Sequence, residues 1–145
     1  MRCVSAVVVL LSAGCGLIPP DPVDFHTYPL RDTTYEEAER VVRDVTRAWF
    51  TTRFGGIEIH WDGEGRNLKV DSVELERRRM TLYIHLVPMP NGADVEMLAL
   101  VEHLILDGDR VGWENPLMDV HLEKILHQAF VDEIVRRRIK ANASP

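Results

Sequence analysis

Hydrophobic and polar residues alternate along this chain with two different periods, and the element changes where the period changes. From Thr34 onward, Ala38, Val41, Val42, Val45, Ala48 and Trp49 recur at helical spacing, while Glu39, Arg40, Arg43 and Asp44 fall on the other side. Thr34-Tyr35-Glu36-Glu37 has the form of a capping box, in which a hydroxyl and a carboxylate satisfy backbone donors that a helix start leaves unpaired. Arg53-Phe54-Gly55-Gly56 supplies the stop, since glycine takes up the left-handed conformation at a helix C-terminus.

The period then drops to two. Ile57, Ile59 and Trp61 alternate with Glu58 and His60, Asp62-Gly63-Glu64-Gly65 makes a turn, and Leu68 and Val70 resume the alternation, which predicts a hairpin. Apolar parity slips between Val70 and Val73-Leu75, so a bulge or bend is expected near Asp71-Ser72. Met80, Leu82, Ile84 and Leu86 alternate with Thr81, Tyr83 and His85 in the cleanest strand of the chain, bounded by the turn Pro88-Met89-Pro90-Asn91-Gly92. Residues 93–106 fit two patterns: Val95, Met97, Ala99 and Val101 suit a returning strand, and Met97, Leu98, Leu100, Val101, Leu104 and Ile105 suit a helix. The strand is the preferred reading because antiparallel pairing is the shortest connection after a turn, and apolar residues on both parities then require cover on both faces.

Asp107-Gly108-Asp109 turns the chain, and Val111-Gly112-Trp113-Glu114-Asn115-Pro116 reads as loop. A second helix is predicted over roughly Met118 to Lys140, with Leu122, Ile125, Leu126, Ala129, Phe130 and Ile134 as its apolar stripe and Arg136-Arg137-Arg138 complementing its dipole. The order of elements predicts an α+β fold: an N-terminal helix, an antiparallel sheet of about four strands and a C-terminal helix, with both helices on one face.

The start of the chain has a different character. Arg2 precedes the apolar run Val4 to Leu11, followed by Leu11-Ser12-Ala13-Gly14-Cys15. A charged start, a short apolar core and small residues form the pattern of a secretory signal, too short to span a bilayer. With Cys15 directly after the small residues, the segment resembles a bacterial lipoprotein signal peptide with its lipobox. Ser12 stands three residues before the cysteine, where Leu is usual, and Leu11 lies one further out. The resemblance implies cleavage between Gly14 and Cys15 and acylation of Cys15, palmitate included, so that the domain sits on a membrane without crossing it. Cys3 leaves with the signal peptide, and the mature chain then has no thiol available for a disulfide.

The resulting organisation is a signal peptide over 1–14, a lipidated tether and lead-in over 15–33, and one α+β domain over 34–141. Gly16-Leu17-Ile18-Pro19-Pro20-Asp21-Pro22 is an extended spacer by composition, and residues 23–31 are expected to lie against the domain. Gly16 rather than Asp after the cysteine points, within the lipoprotein family, to the periplasmic face of the outer membrane of a two-membraned cell. In a one-membraned cell the place is the outer face of the cell membrane.

A formal net charge of -6 disfavours nucleic acid as a partner and gives no general attraction to anionic headgroups. Gly-x-Ser-x-Gly and phosphate-cradling glycine loops are missing from the sequence, and no cofactor is implied. His121 and His127, with Glu123 between them, are not at the three- or four-residue spacing that shares one helix face. His60 and His85 are expected on the sheet face opposite the apolar one, where they can meet across strands. With Tyr83 they form the candidate interaction surface, although ordinary half-exposed residues would look the same. Glu74-Leu75-Glu76-Arg77-Arg78-Arg79 reads as edge protection or an anion-binding face, and Trp113 as a core cover or an exposed anchor.

Size, anchor and element order loosely resemble those of small accessory lipoproteins of bacterial envelopes, including those that support outer-membrane protein or lipopolysaccharide assembly. The leading expectation is a non-catalytic binding or assembly domain that holds an envelope protein or lipid-assembly partner at the membrane. The alternatives are a small hydrolase or metal-dependent enzyme using His60, His85 or nearby carboxylates, and a carrier of apolar ligands.

Overall fold

The computed structural model describes residues 24–54, 59–61, 67–75 and 77–143, and the architecture is the α+β arrangement that the periodicities imply. In chain order the elements are β1 (His26–Arg31), α1 (Tyr35–Phe54), β2 (Ile59–Trp61), β3 (Asn67–Leu75), β4 (Arg78–Met89), β5 (Gly92–Asp107), β6 (Arg110–Trp113), β7 (Leu117–Met118) and α2 (Val120–Asn142). The main sheet runs β1-β5-β4-β3-β2 with antiparallel pairing throughout, and β6 and β7 also pair with β5.

The five-stranded path exceeds the expected four because the lead-in is itself a strand. β1 pairs along the edge of β5 from His26↔Met97 to Arg31↔Gly92. Its alternation is hard to see in sequence, since only Leu30 is fully buried and Pro29 lies within it, a residue that an edge strand tolerates. The expected loop over 111–116 holds for 114–116 and is corrected for 111–113: β6 returns along the end of β5, from Leu104↔Trp113 to Asp107↔Arg110. Met118, expected in the second helix, instead pairs with Leu100 in β7. The helix starts after Asp119, whose Oδ1 accepts from the Leu122 N–H at 3.0 Å.

Other expectations hold in detail. Thr34 Oγ1 accepts from the Glu37 N–H at 3.2 Å, while the Glu37 carboxylate accepts from the Thr33 hydroxyl, so half of the predicted capping box forms. The β3–β4 register shifts between Val70 and Val73, at the anticipated bulge. Residues 93–106 are strand, and β4 and β5 pair in unbroken register from Arg78↔His103 to Met89↔Gly92. Gly92 closes this hairpin with φ +147, and a Cβ there would lie 2.0 Å from the Leu30 carbonyl oxygen, so only glycine allows β1 this close. The Gly55-Gly56 stop, the 62–65 turn and Cys15 lie outside the described residues.

Both helices pack on one sheet face. Ala38, Val41, Val42 and Phe50 of α1 join Leu122, Leu126, Phe130 and Ile134 of α2 in one cluster with Leu82, Ile84, Leu86, Val95 and Met97 of the sheet. Burying each of the larger side chains contributes about 1.5–3 kcal/mol. The expected stripes need two corrections, because Ala48 and Ile125 are exposed and Phe50 is buried. The Arg136-Arg137-Arg138 run does more than complement a dipole. Arg137 reaches Asp44 of α1 at 2.8 Å and Glu133 at 2.7 Å, and Arg136 also holds Glu133. Hydrogen bonding from Arg136, opposed by burial and reinforced by Arg137, lowers the Glu133 pKa to about 2. Neither helix is long and apolar enough to cross a membrane.

Candidate functional site

The most polar buried place in the described structure is where β1 meets α2. Glu123, on the first turns of α2, is completely buried despite its charge. Register explains it. β1 ends opposite Met97 and β7 begins opposite Leu100, which leaves the β5 edge at Ala99 without a strand neighbour. A buried N–H and C=O cannot be left unpaired there without a cost of about 1–3 kcal/mol each. Glu123 Oε1 accepts from the Ala99 N–H at 3.0 Å, and the Asp119 N–H donates to the Ala99 carbonyl at 2.8 Å. The start of α2 thus completes the ladder across the gap.

The other Glu123 oxygen faces β1. Tyr28 donates its hydroxyl to Oε2 at 2.9 Å, and His26 Nδ1 lies 2.9 Å from the same oxygen. The His26 contact has ion-pair distance without hydrogen-bond geometry, and that side chain is 42% exposed. Burial, then the hydrogen bond to Glu123 and the charge of that carboxylate, push the Tyr28 pKa well above the ordinary phenol range. One helical turn on, His127 Nε2 lies 3.0 Å from the Pro29 carbonyl oxygen and its ring packs on Tyr28 at a centroid distance of 5.3 Å. Three side chains, Glu123, His127 and Tyr28, therefore clamp the edge strand to the helix.

The surface proposed from sequence lies on the other side of the sheet. Tyr83 opposes Leu98, and His85 opposes Glu96 and Asn67, while His60 is paired with Lys69 on the far side of β3. The face is shared, but β3 separates His60 from the other two, so the two histidines do not meet across neighbouring strands. Tyr83 and His85 are half-buried and His60 is exposed. Leu98 on this face is only 1% exposed and stands outside the helix-side cluster, which matches the expectation of cover on both faces of β5.

Trp113 is neither core cover nor a bare anchor. It is half-buried on β6 beneath the Arg79 guanidinium, 4.6 Å from the ring centroid, and Arg79 holds Glu102 through two hydrogen bonds of 2.7 Å. Exposed aliphatic side chains also lie on these neighbouring strands: Ile105 and Leu106 on β5, Val111 on β6, and Leu117 and Met118 on β7. A separate groove of about 270 Å³, lined by Pro29, Arg31, Asp32, Val131, Ile134 and Arg138, runs between the end of β1 and α2. Among the described residues, no three His, Cys, Asp or Glu side chains gather closely enough to hold a metal ion.

The sequence places His60, Tyr83 and His85 by parity and does not reveal the clamp or the pairing of β6 with the end of β5. Glu123, an acid adjacent to Leu122 on a helical stripe, carries no sequence signal that sets it apart from a solvated edge. No protein-family model matches the chain, and comparison with curated proteins and with solved structures finds no match.

Proposed function

We propose that this chain is a membrane-anchored envelope lipoprotein, acylated at Cys15, whose α+β domain acts by contact with another envelope component. The place is the periplasmic face of the outer membrane in a two-membraned cell and the outer face of the cell membrane otherwise. The contact reading is carried by the exposed aliphatic group on β5, β6 and β7, where Val111 is 72%, Leu117 62% and Met118 55% exposed. Large aliphatic side chains left exposed along neighbouring strands are a feature of interaction sites on folded domains.

The position of β1 supports the anchor. Residues 16–25 separate Cys15 from β1, and ten extended residues reach at most roughly 35 Å. Tension on such a tether enters β1, where it is shared among the register pairs with β5 and the clamp onto Glu123. An edge strand loaded along its length has to shear many hydrogen bonds together, which suits a load-bearing entry point.

The test is palmitate incorporation and membrane fractionation of the wild type and Cys15→Ser, with pulldown from native membranes. The wild type is expected to label, to sediment with membranes and to bring down a partner. Equal labelling or equal fractionation of Cys15→Ser would defeat the anchor. Unchanged capture by a Val111→Asp, Leu117→Asp chain would defeat the contact surface.

A further inference from the structure

β5 outruns its neighbour. The last β4 pair is Arg78↔His103, and one more bond follows from the Leu104 N–H to the Arg77 carbonyl at 2.8 Å. Residues 105–107 then keep β6 on one side, and among the described residues no strand pairs with the edge toward β4. The result is a two-stranded arm from Leu104 to Trp113 that projects beyond the sheet. Such a ribbon is marginal in water by itself, and an open strand edge is a template for another strand.

The arm's chemistry is divided along its length. Arg77 and Arg78 stand exposed at its root, Leu106 opposes Val111 in its middle, and Asp107 and Asp109 flank Gly108 at its tip, where Arg110 opposes Asp107 and leaves one net negative charge. Leu106 is 54% exposed, and Ile105 on the opposite face is 41% exposed. Root and tip are about 13 Å apart, four strand residues at about 3.3 Å each.

We propose that this arm is a self-association surface whose occupant is the arm of a second copy of this chain. About a two-fold axis the two open edges run antiparallel, the acidic tip of each copy meets the arginine root of the other, and Leu106 lies near the axis. A symmetric contact requires a self-complementary patch, and the arm supplies one: apolar at the centre with opposite charges at equal distances along one edge. Two tip carboxylates disfavour burial of the same arm in lipid. The inference rests on the contact reading of this surface and gives it an occupant.

The experiment measures the mass of the full chain in detergent micelles by light scattering and sedimentation. The wild type is expected to be a dimer. A tip-reversed variant (Asp107→Arg, Asp109→Arg) and a root-reversed variant (Arg77→Asp, Arg78→Asp) are each expected to lose association by about tenfold or more, because root and tip then carry net charge of the same sign. Mixed in equal amounts, they are expected to form a heterodimer, which a misfolded variant cannot do. A monomeric wild type at its highest soluble concentration would overturn the inference, as would a dimer that tolerates both reversals. So would arm-dependent binding of a monomeric chain to phosphatidylethanolamine vesicles. Association is expected to persist in Cys15→Ser, so failure of the acylation reading leaves this result unchanged. Capture of an envelope partner on the arm of a monomer would instead keep the contact reading and remove this one.

Discussion

Replacing Glu123 by alanine removes the acceptor of the buried Ala99 N–H at 3.0 Å and of the Tyr28 hydroxyl at 2.9 Å. The Ala99 donor is sealed between β5 and α2 with no strand beside it, so leaving it unpaired costs about 1–3 kcal/mol. Tyr28 is half-buried and recovers part of its bond from water, which adds roughly 1 kcal/mol. The two lost methylene-sized groups in a closed site add about 1 kcal/mol more. The sum, about 3–5 kcal/mol, is what loss of one partner from a buried polar network typically costs. Glu123→Gln keeps the shape and one carbonyl acceptor for Ala99, and its amide can donate to the Tyr28 oxygen, so about 1–2 kcal/mol is expected. Chemical denaturation followed by circular dichroism measures both, and a Tyr28→Phe cycle isolates the coupling. A Glu123→Ala chain within about 1 kcal/mol of the wild type would refute the account, because the ladder gap would then be closed by something else.

Gly92→Ala is expected to destabilise by at least about 2 kcal/mol, since the added Cβ meets the Leu30 carbonyl and the φ is unfavourable for it; an unchanged midpoint would mean that β1 does not lie this close. Because the Tyr28 pKa is raised, its stabilisation is present below the ordinary phenol value of about 10 and is lost as pH rises above it. The stability gap between the wild type and Tyr28→Phe should therefore narrow on the alkaline side, and a gap constant to high pH in a denaturation series would count against the Glu123 contact. Ile84→Asp is expected to prevent folding or cost about 4 kcal/mol or more, with Tyr83→Asp clearly milder, because Ile84 points into the core and Tyr83 to the half-buried opposite face; equal melting temperatures would refute the register.

The elements that the sequence made legible are those whose side chains bear the pattern. β4 alternates because Leu82, Ile84 and Leu86 face two helices, and the parity slip at Asp71-Ser72 was visible because residues on both sides of it are apolar. β1 and β6 were illegible because backbone pairing holds them more than side-chain burial does. β1 buries only Leu30 fully, and every residue of β6 is at least partly exposed. Glu123 was hidden for the opposite reason. An acid beside a helical stripe predicts a solvated edge, and only the register of three separate strands along β5 shows that a donor is waiting there.

That register also ties the anchor to the arm. β1, the Glu123 bridge, β7 and β6 follow one another along a single edge of β5, so β1 and the exposed aliphatic side chains are all positioned by one continuous strand. From Met97, opposite His26, to Leu106 is nine steps of about 3.3 Å, or roughly 30 Å. That distance is fixed by a hydrogen-bonded ladder. On the proposed anchor at Cys15, the ladder sets where the arm stands relative to the strand through which the tether would enter.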